Sequence, residues 1–287
     1  MRALSVADVL GPYIAIRVRD IRRLDPLVGR SDAEAIHDMR VATRRLKSTL
    51  IVYRAAFAGG QREHLVQELD WLTGTLGQAR DFEVQRLILH ELADNTEAIA
   101  RVEAASRLLM AEAAAALDTA LGTERYHLLA ASLSAFSADL PWRSPGDPAD
   151  TVLRDSVRRQ FKRLETRALA ASVADSDLDQ HLHSVRKSTK RTRYSTEALE
   201  PIIGDSATDL AGRLSAAQDV LGAHNDLVVT RGHYQVWADL GVGDGALSTL
   251  DGRVSQSRDY AQATLEGIRA IVHDGRVTLR RRASSKN

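Results

Sequence analysis

Two stretches of this sequence gather side chains suited to holding an anion. His37 to Lys47 reads HDMRVATRRLK, and His183 to Arg193 reads HSVRKSTKRTR. Laid over one another, they match His37 with His183, Arg40 with Arg186, Arg44 with Lys190, Arg45 with Arg191 and Lys47 with Arg193, and Lys187 adds a further cation to the second copy. On an α-helix, offsets of 0, 3, 7 and 10 from the histidine fall on one stripe. Each copy therefore predicts a basic ridge along one helix face, with Met39, Leu46 and Leu50 of the first copy turned largely the other way. A guanidinium fork can hold two phosphate oxygens at once, and an ammonium supplies a compact charge. Imidazole adds one donor, or a full charge where surrounding anions raise its pKa.

A basic run on a helix is more often a solvated face steadied by acidic residues one turn away. Here those partners are missing: no Asp or Glu lies between Met39 and Phe57, and none between Val185 and Thr196. Like charges at these spacings repel. A stripe repeated without local counter-charge therefore points to an anion site lined by both helices.

Apolar spacing through most of the chain follows a period of 3.6, and no convincing alternating run of β-branched residues interrupts it, so the expected fold is all-α. The first helix is expected over 5–28, with Leu10, Ile14, Val18 and Ile21 on its buried face and Gly11-Pro12 in its first turns. Ser31 or Asp32 should cap a second helix that carries the first motif to about Phe57. A third helix is expected over 62–77. It closes at LGQARDFEV, which returns as LGAHNDLVV after the second motif, matching Leu76 with Leu221, Gly77 with Gly222, Asp81 with Asp226 and Val84 with Val229. Each glycine suits a helix end, and each aspartate suits the cap of the next helix or, equally well, the orienting of an arginine from below.

One long helix or a pair should fill 82–139. LPWRSPGDPAD, with three of the six prolines, marks 141–150 as a linker between a first bundle, 1–140, and a second, 151–287. Helices at 151–172, 178–203, 206–221, from 225 to a break at GVGDG, and at 246–273 complete the second set. The tail from Arg276 to Asn287 is expected to fray. These elements predict two similar four-helix bundles facing each other, within one domain spanning 1–287.

With 287 residues and 44% apolar content, the chain can bury a substantial core. It contains no cysteine, which excludes disulfides and thiolate metal sites. The N-terminus lacks a long apolar segment with a small-residue cleavage site, and no run approaches 18 apolar residues, so a cytoplasmic location without a membrane span is expected. The net charge of +1 averages over uneven segments: Arg154 to Arg193 holds eleven Lys/Arg against five Asp/Glu. A nearly neutral protein can still carry a strongly positive cleft.

HDMRVATRRLKSTL and LHSVRKSTKRTRYSTEAL resemble the two signature helices of the CHAD family, the conserved-histidine α-helical domain, and the LGQARDFEV and LGAHNDLVV segments fit it too. The resemblance covers essentially the whole chain. It implies two pseudo-symmetric four-helix bundles around a basic cavity and non-catalytic binding of inorganic polyphosphate by His37, Arg40, Arg44, Arg45, Lys47, His183, Arg186, Lys187, Lys190, Arg191 and Arg193. Targeting to polyphosphate granules, or contact with polyphosphate-metabolising proteins, fits the same reading. Arg19, Arg22, Arg158, Arg159, Lys162 and Arg163 on the preceding helices are expected to extend the walls. One departure is Thr192, which stands where the first copy has Leu46 and is expected to loosen packing in the second bundle without touching the charge.

Two other functions compete. His37-Asp38 resembles a ligand pair of HD-type phosphohydrolases, and His181-x-His183 has the spacing of a chelate. However, the matching dipeptide in the second copy is His183-Ser184, and no Glu-x-Glu marks a triphosphatase tunnel. No nucleophile with a base is evident, so neither an enzyme nor a metal or cofactor site is expected. A nucleic-acid binder would add interleaved aromatics and Asn or Gln readers to its basic helices, and Tyr194 is the lone aromatic there. His64, His90, His127, His224, His233 and His273 read as surface or packing residues, and Trp71, Trp142 and Trp237 as core or joint fillers.

Overall fold

The computed structural model describes residues 3–29, 32–174, 176–243 and 245–280, and it is all-α. The first half comprises α1 (Val6–Val28), α2 (Ala33–Val52), a 3-10 turn (Arg54–Ala56), α3 (Gln61–Leu92), α4 (Thr96–Leu121) and α5 (Glu124–Ala138). The second half comprises α6 (Ala149–Ser172), α7 (Leu178–Glu197), the single turn α8 (Glu200–Ile203), α9 (Asp205–Gly232), α10 (Tyr234–Asp239) and α11 (Gly245–Arg280). Among the described residues no helix is long and apolar enough to cross a membrane.

The helix starts follow local chemistry. Ser5 caps α1 in a reciprocal box with Asp8, and the Asp32 carboxylate accepts from the Ala35 amide at 2.8 Å to start α2. Ser31, the other capping candidate, lies outside the described residues. In α1 the expected apolar face is buried, from Leu10 through Ile14, Val18 and Ile21 to Leu24.

Five boundaries differ from the sequence expectation. α2 stops at Val52, because Phe57 is drawn into an extended pairing with Trp142 and their rings stack at 5.2 Å. α3 does not end at Gly77, and α9 does not end at Gly222: both run unbroken through the glycine and the aspartate that follows, so Asp81 and Asp226 cap nothing. Consequently the segment 82–139 holds the last turns of α3 followed by α4 and α5. In the second half, α7 ends at Glu197 and α11 continues past the expected stop to Arg280. The rest of the tail lies outside the described residues.

The proline-rich joint is fastened at both ends. Val6 N donates to Asp147 O at 2.9 Å, Ala58 N to Pro141 O at 2.7 Å, and Arg143 N to Ala56 O at 2.9 Å. α2 packs between α1 and α3, as α7 packs between α6 and α9, and α11 lies across α6 and α9. The halves meet where α2 touches α7, α1 touches α6, and α3 touches α9. One contiguous core draws on both halves, from Leu10, Leu46 and Leu69 to Phe161, Leu214 and Ile268. A smaller cluster at the far end of α3 joins Leu89, Val102 and Leu109 to Trp237, Leu250 and Val254, and the Trp237 indole there donates to Gln85 Oε1 at 2.8 Å. Thr192, fully buried, gives its hydroxyl to Ser188 O at 2.9 Å, so the polar substitution for leucine leaves no unpaired hydroxyl behind.

Candidate anion-binding cleft

α2 and α7 cross with their basic ridges turned toward one cleft of about 420 Å³. Arg40, Arg44 and Lys47 line it from α2, and Arg186, Lys187, Lys190, Arg191 and Tyr194 line it from α7. Asp70 and Thr73 of α3 form part of the wall. At the other end of the two helices, the buried Tyr53 hydroxyl donates to Ser195 O at 2.6 Å and ties one half to the other.

The two glycines that did not end their helices explain how the ridges are seated. A Cβ on Gly77 would stand 3.3 Å from Arg40 Nη2, and one on Gly222 would stand 3.9 Å from Arg186 Nε. Each guanidinium thus lies over the glycine of the neighbouring helix and reaches the carboxylate one turn on: Arg40 Nη2 to Asp81 Oδ1 at 3.3 Å, and Arg186 Nη2 to Asp226 Oδ1 at 3.8 Å. Burial is the chief influence weighing against charge on both arginines, and the two aspartates oppose it. Burial also raises the Asp81 pKa; Arg40 counters this and nearby Asp226 adds to it. The four groups therefore form one interlocked set at the meeting of the halves.

The expectation of ridges wholly without counter-charge needs correction. Lys47 Nζ bonds Asp70 Oδ1 at 2.5 Å, Arg45 Nε lies 3.2 Å from Glu197 Oε2, and Arg193 Nε lies 3.4 Å from Glu197 Oε1. Arg45 and Arg193 also lean on the Tyr194 ring, at 5.6 and 4.8 Å from its centroid. Neither borders the cleft, and with Glu197 they clasp the halves together. These carboxylates come from other helices, or from beyond the stripe, so a local scan could not see them. In the second half Ser215 stands where the first has Asp70, and it accepts from Arg193 Nη1 at 2.6 Å.

What remains is a smaller and sharper charge. Among the described residues, Arg44, Lys187, Lys190 and Arg191 have no carboxylate partner, and all four line the cleft. Lys190 is only 8% exposed. Burial, followed by Arg44, Arg186 and Arg40, pulls its pKa down to about 6, with Asp226 pulling back. The ammonium is thus held largely as a neutral amine near pH 7, one proton short of its anion-binding form. His183 shares a 2.5 Å hydrogen bond with Asn225 Oδ1, and burial holds its pKa down. His37 is exposed and has no partner among the described residues, because the residue matching Asn225 is Arg80, which pairs with Glu83 at 2.6 Å.

The flanking candidates divide. Arg19 and Arg22 line a separate hollow with Ser134 and Ser137 of α5. Arg158, Arg159 and Lys162 line another, closed by α11. Arg163 lies with Arg167 near Arg191 and so adjoins the cleft without lining it. Of the rival signals, His181-x-His183 gains no further ligand: among the described residues no three His, Asp or Glu side chains gather as a metal set. A Ser–His–Asp row that the sequence did not reveal does form. His224 Nδ1 lies 2.9 Å from Ser257 Oγ, and its Nε2 lies 3.1 Å from Asp179 Oδ1. Arg258 grips both oxygens of Asp179 at 2.7 Å, the imidazole is buried, and none of the row borders the cleft, so it serves to tie α7, α9 and α11 together.

A family model for the CHAD domain matches residues 12–235. The chain belongs to the CHAD domain family. Two Mycobacterium tuberculosis proteins, MT2285 and Rv2226, are each 28% identical over 237 residues, covering 79% of this chain and 45% of theirs. This CHAD domain therefore spans less than half the length of those curated relatives. The crystal structure of the CHAD domain from the plant Ricinus communis superposes with a TM-score of 0.76 at 26% identity, covering 94% of this chain and 92% of that one. PptA from Streptomyces chartreusis shares the fold, with a TM-score of 0.69 at 21% identity over 95% and 99% of the two chains.

Proposed function

We propose that this CHAD domain binds inorganic polyphosphate in the cleft between α2 and α7 and does no chemistry on it. The observation that carries the reading is the set Arg44, Lys187, Lys190 and Arg191: four basic side chains from two facing helices around one opening, none with a carboxylate partner among the described residues, of which Lys190 takes up its full charge as an anion arrives. Like charges crowded this way repel one another, and a ligand with about one negative charge per phosphate relieves the strain without needing stacking surfaces. Arg40 and Arg186, held from behind by Asp81 and Asp226, keep their forks oriented for phosphate oxygens. The reading locates the protein in the cytoplasm, on or near polyphosphate granules.

A competition titration tests this. Long-chain polyphosphate should bind with strong salt dependence and displace single-stranded DNA of equal charge. Equal affinity for both would favour a general nucleic-acid binder, and polyphosphate turnover lost on replacing His37 would make the protein an enzyme. Co-sedimentation with granules, compared with an Arg44→Ala/Lys190→Ala variant, tests the location.

A further inference from the structure

We propose that the outer face of α6 is a second anion-binding site, which grips the part of a long polyphosphate chain that extends beyond the cleft; this rests on the polyphosphate reading of the cleft itself. Arg159, Arg163 and Arg167 recur at four-residue intervals and therefore share one stripe of α6. At one end of the stripe, Arg163 and Arg167 are the charges acting on Arg191, which lines the cleft. At the other end, Arg159 opens onto a hollow of about 280 Å³ between α6 and the last turns of α11. The helix rise sets the length of this track at about 12 Å.

The hollow is not a neutralised surface. Two of its arginines are occupied, Arg158 by Asp155 at 3.0 Å and Arg276 by Glu165 at 2.6 Å. Arg159, Lys162 and Arg280 have no carboxylate partner among the described residues, and Arg159 donates only to Ser156 Oγ, at 2.9 Å. Asp155 opens the stripe one step before Arg159 and is held by Arg158, and from Arg159 onward arginine follows arginine where an ordinary solvated face would alternate charges. The α1/α5 hollow offers a contrast. It too holds arginines, but none of them is among the charges acting on Lys190 or Arg191. A linear track that leads away from Arg191 suits a chain, because the second contact is made at high effective concentration once the first has formed.

Isothermal titration of the full chain with tripolyphosphate and with long-chain polyphosphate tests the proposal. The native protein should bind the long chain more tightly. An Arg159→Ala/Lys162→Ala/Arg163→Ala variant should lose about tenfold or more of the long-chain affinity and keep its affinity for tripolyphosphate. An Arg19→Ala/Arg22→Ala/Arg23→Ala variant removes the same charge elsewhere and should leave both unchanged. Unaltered long-chain binding in the α6 variant overturns the second site, and so does an equal loss in both variants, which would report net charge alone. Loss of tripolyphosphate binding in the α6 variant also overturns it, by making α6 part of the cleft. If the native protein binds neither ligand, the cleft reading itself fails and takes this one with it.

Discussion

The Arg40 guanidinium lies against Gly77, with Nη2 3.3 Å from the place a Cβ would occupy, and ends on the Asp81 carboxylate one turn further along the same helix. Gly222 stands in the same relation to Arg186 and Asp226, at a looser 3.9 Å. At Gly77 a glycine spends helix stability to let an arginine cross to its carboxylate, whereas the seat at Gly222 leaves room for a methyl group.

The two glycines should therefore respond differently to alanine. Alanine in a helix interior favours the helix by about 1 kcal/mol over glycine. Gly222→Ala should show much of that gain as a raised melting temperature with polyanion affinity kept, since 3.9 Å is ordinary contact. Gly77→Ala should shift the Arg40 fork off Asp81 and weaken polyphosphate binding, with little net change in stability. Equal affinities for the two variants would show that the Arg40 seat does not matter to binding.

Arg44 and Lys190 are two of the four cleft bases that have no carboxylate partner among the described residues, Arg44 as a fixed charge and Lys190 as one that an anion would restore. Replacing both by alanine should remove most polyphosphate affinity, read by titration, while the melting temperature stays level or rises as repulsion is relieved. A pronounced fall in melting temperature would mean that these side chains hold the halves together.

Lys190 should couple binding to protons. Its pKa in the folded chain is about 6, against an ordinary 10.5, so between these values the unfolded chain holds more protons than the folded one. The sign follows: Lys190 destabilises the fold most below pH 6, and stability rises with pH across that window. A bound polyanion restores the higher pKa. At about pH 7.5, binding should therefore take up about one proton, measured as a buffer-dependent titration enthalpy, and affinity should fall as pH climbs from 6 toward 9. Lys190→Met should abolish the uptake and raise the melting temperature of the empty protein. His183, likewise held low by burial, adds uptake of the same sign at more acid pH.

Gly275 tests the packing independently of the site. A Cβ there would fall 2.5 Å from Cε1 of the fully buried Phe161 ring, where α11 closes on α6. Gly275→Ala should cost about 1–3 kcal/mol in denaturant unfolding, since a packed ring has little room to yield. Gly252 and Gly267 on the same helix have open space beside them, and alanine at either should be neutral or stabilising. A tolerated Gly275→Ala would show that α6 and α11 can separate at little cost.

Much of this protein could be read along the chain. Helical periodicity gave the all-α class, and the spacing of His37, Arg40 and Arg44 put the candidate ligands on one face, because both depend only on the geometry of a single helix. Family membership lay in the same two motifs. What the sequence could not reveal was which cations would find partners. Asp81 and Asp226 stood in the sequence as residues that could orient an arginine, but not which arginine, and Asp70, 23 residues from Lys47, was marked by nothing local. For the same reason Gly77 read as a helix end: the space that Arg40 needs over it is invisible until the two helices pack. The basic stripes were set by the order of residues. Their division into a clasp around Glu197, a seated pair on Asp81 and Asp226, and four free cations facing one opening was decided by tertiary structure, since charge is balanced across space and not along the chain.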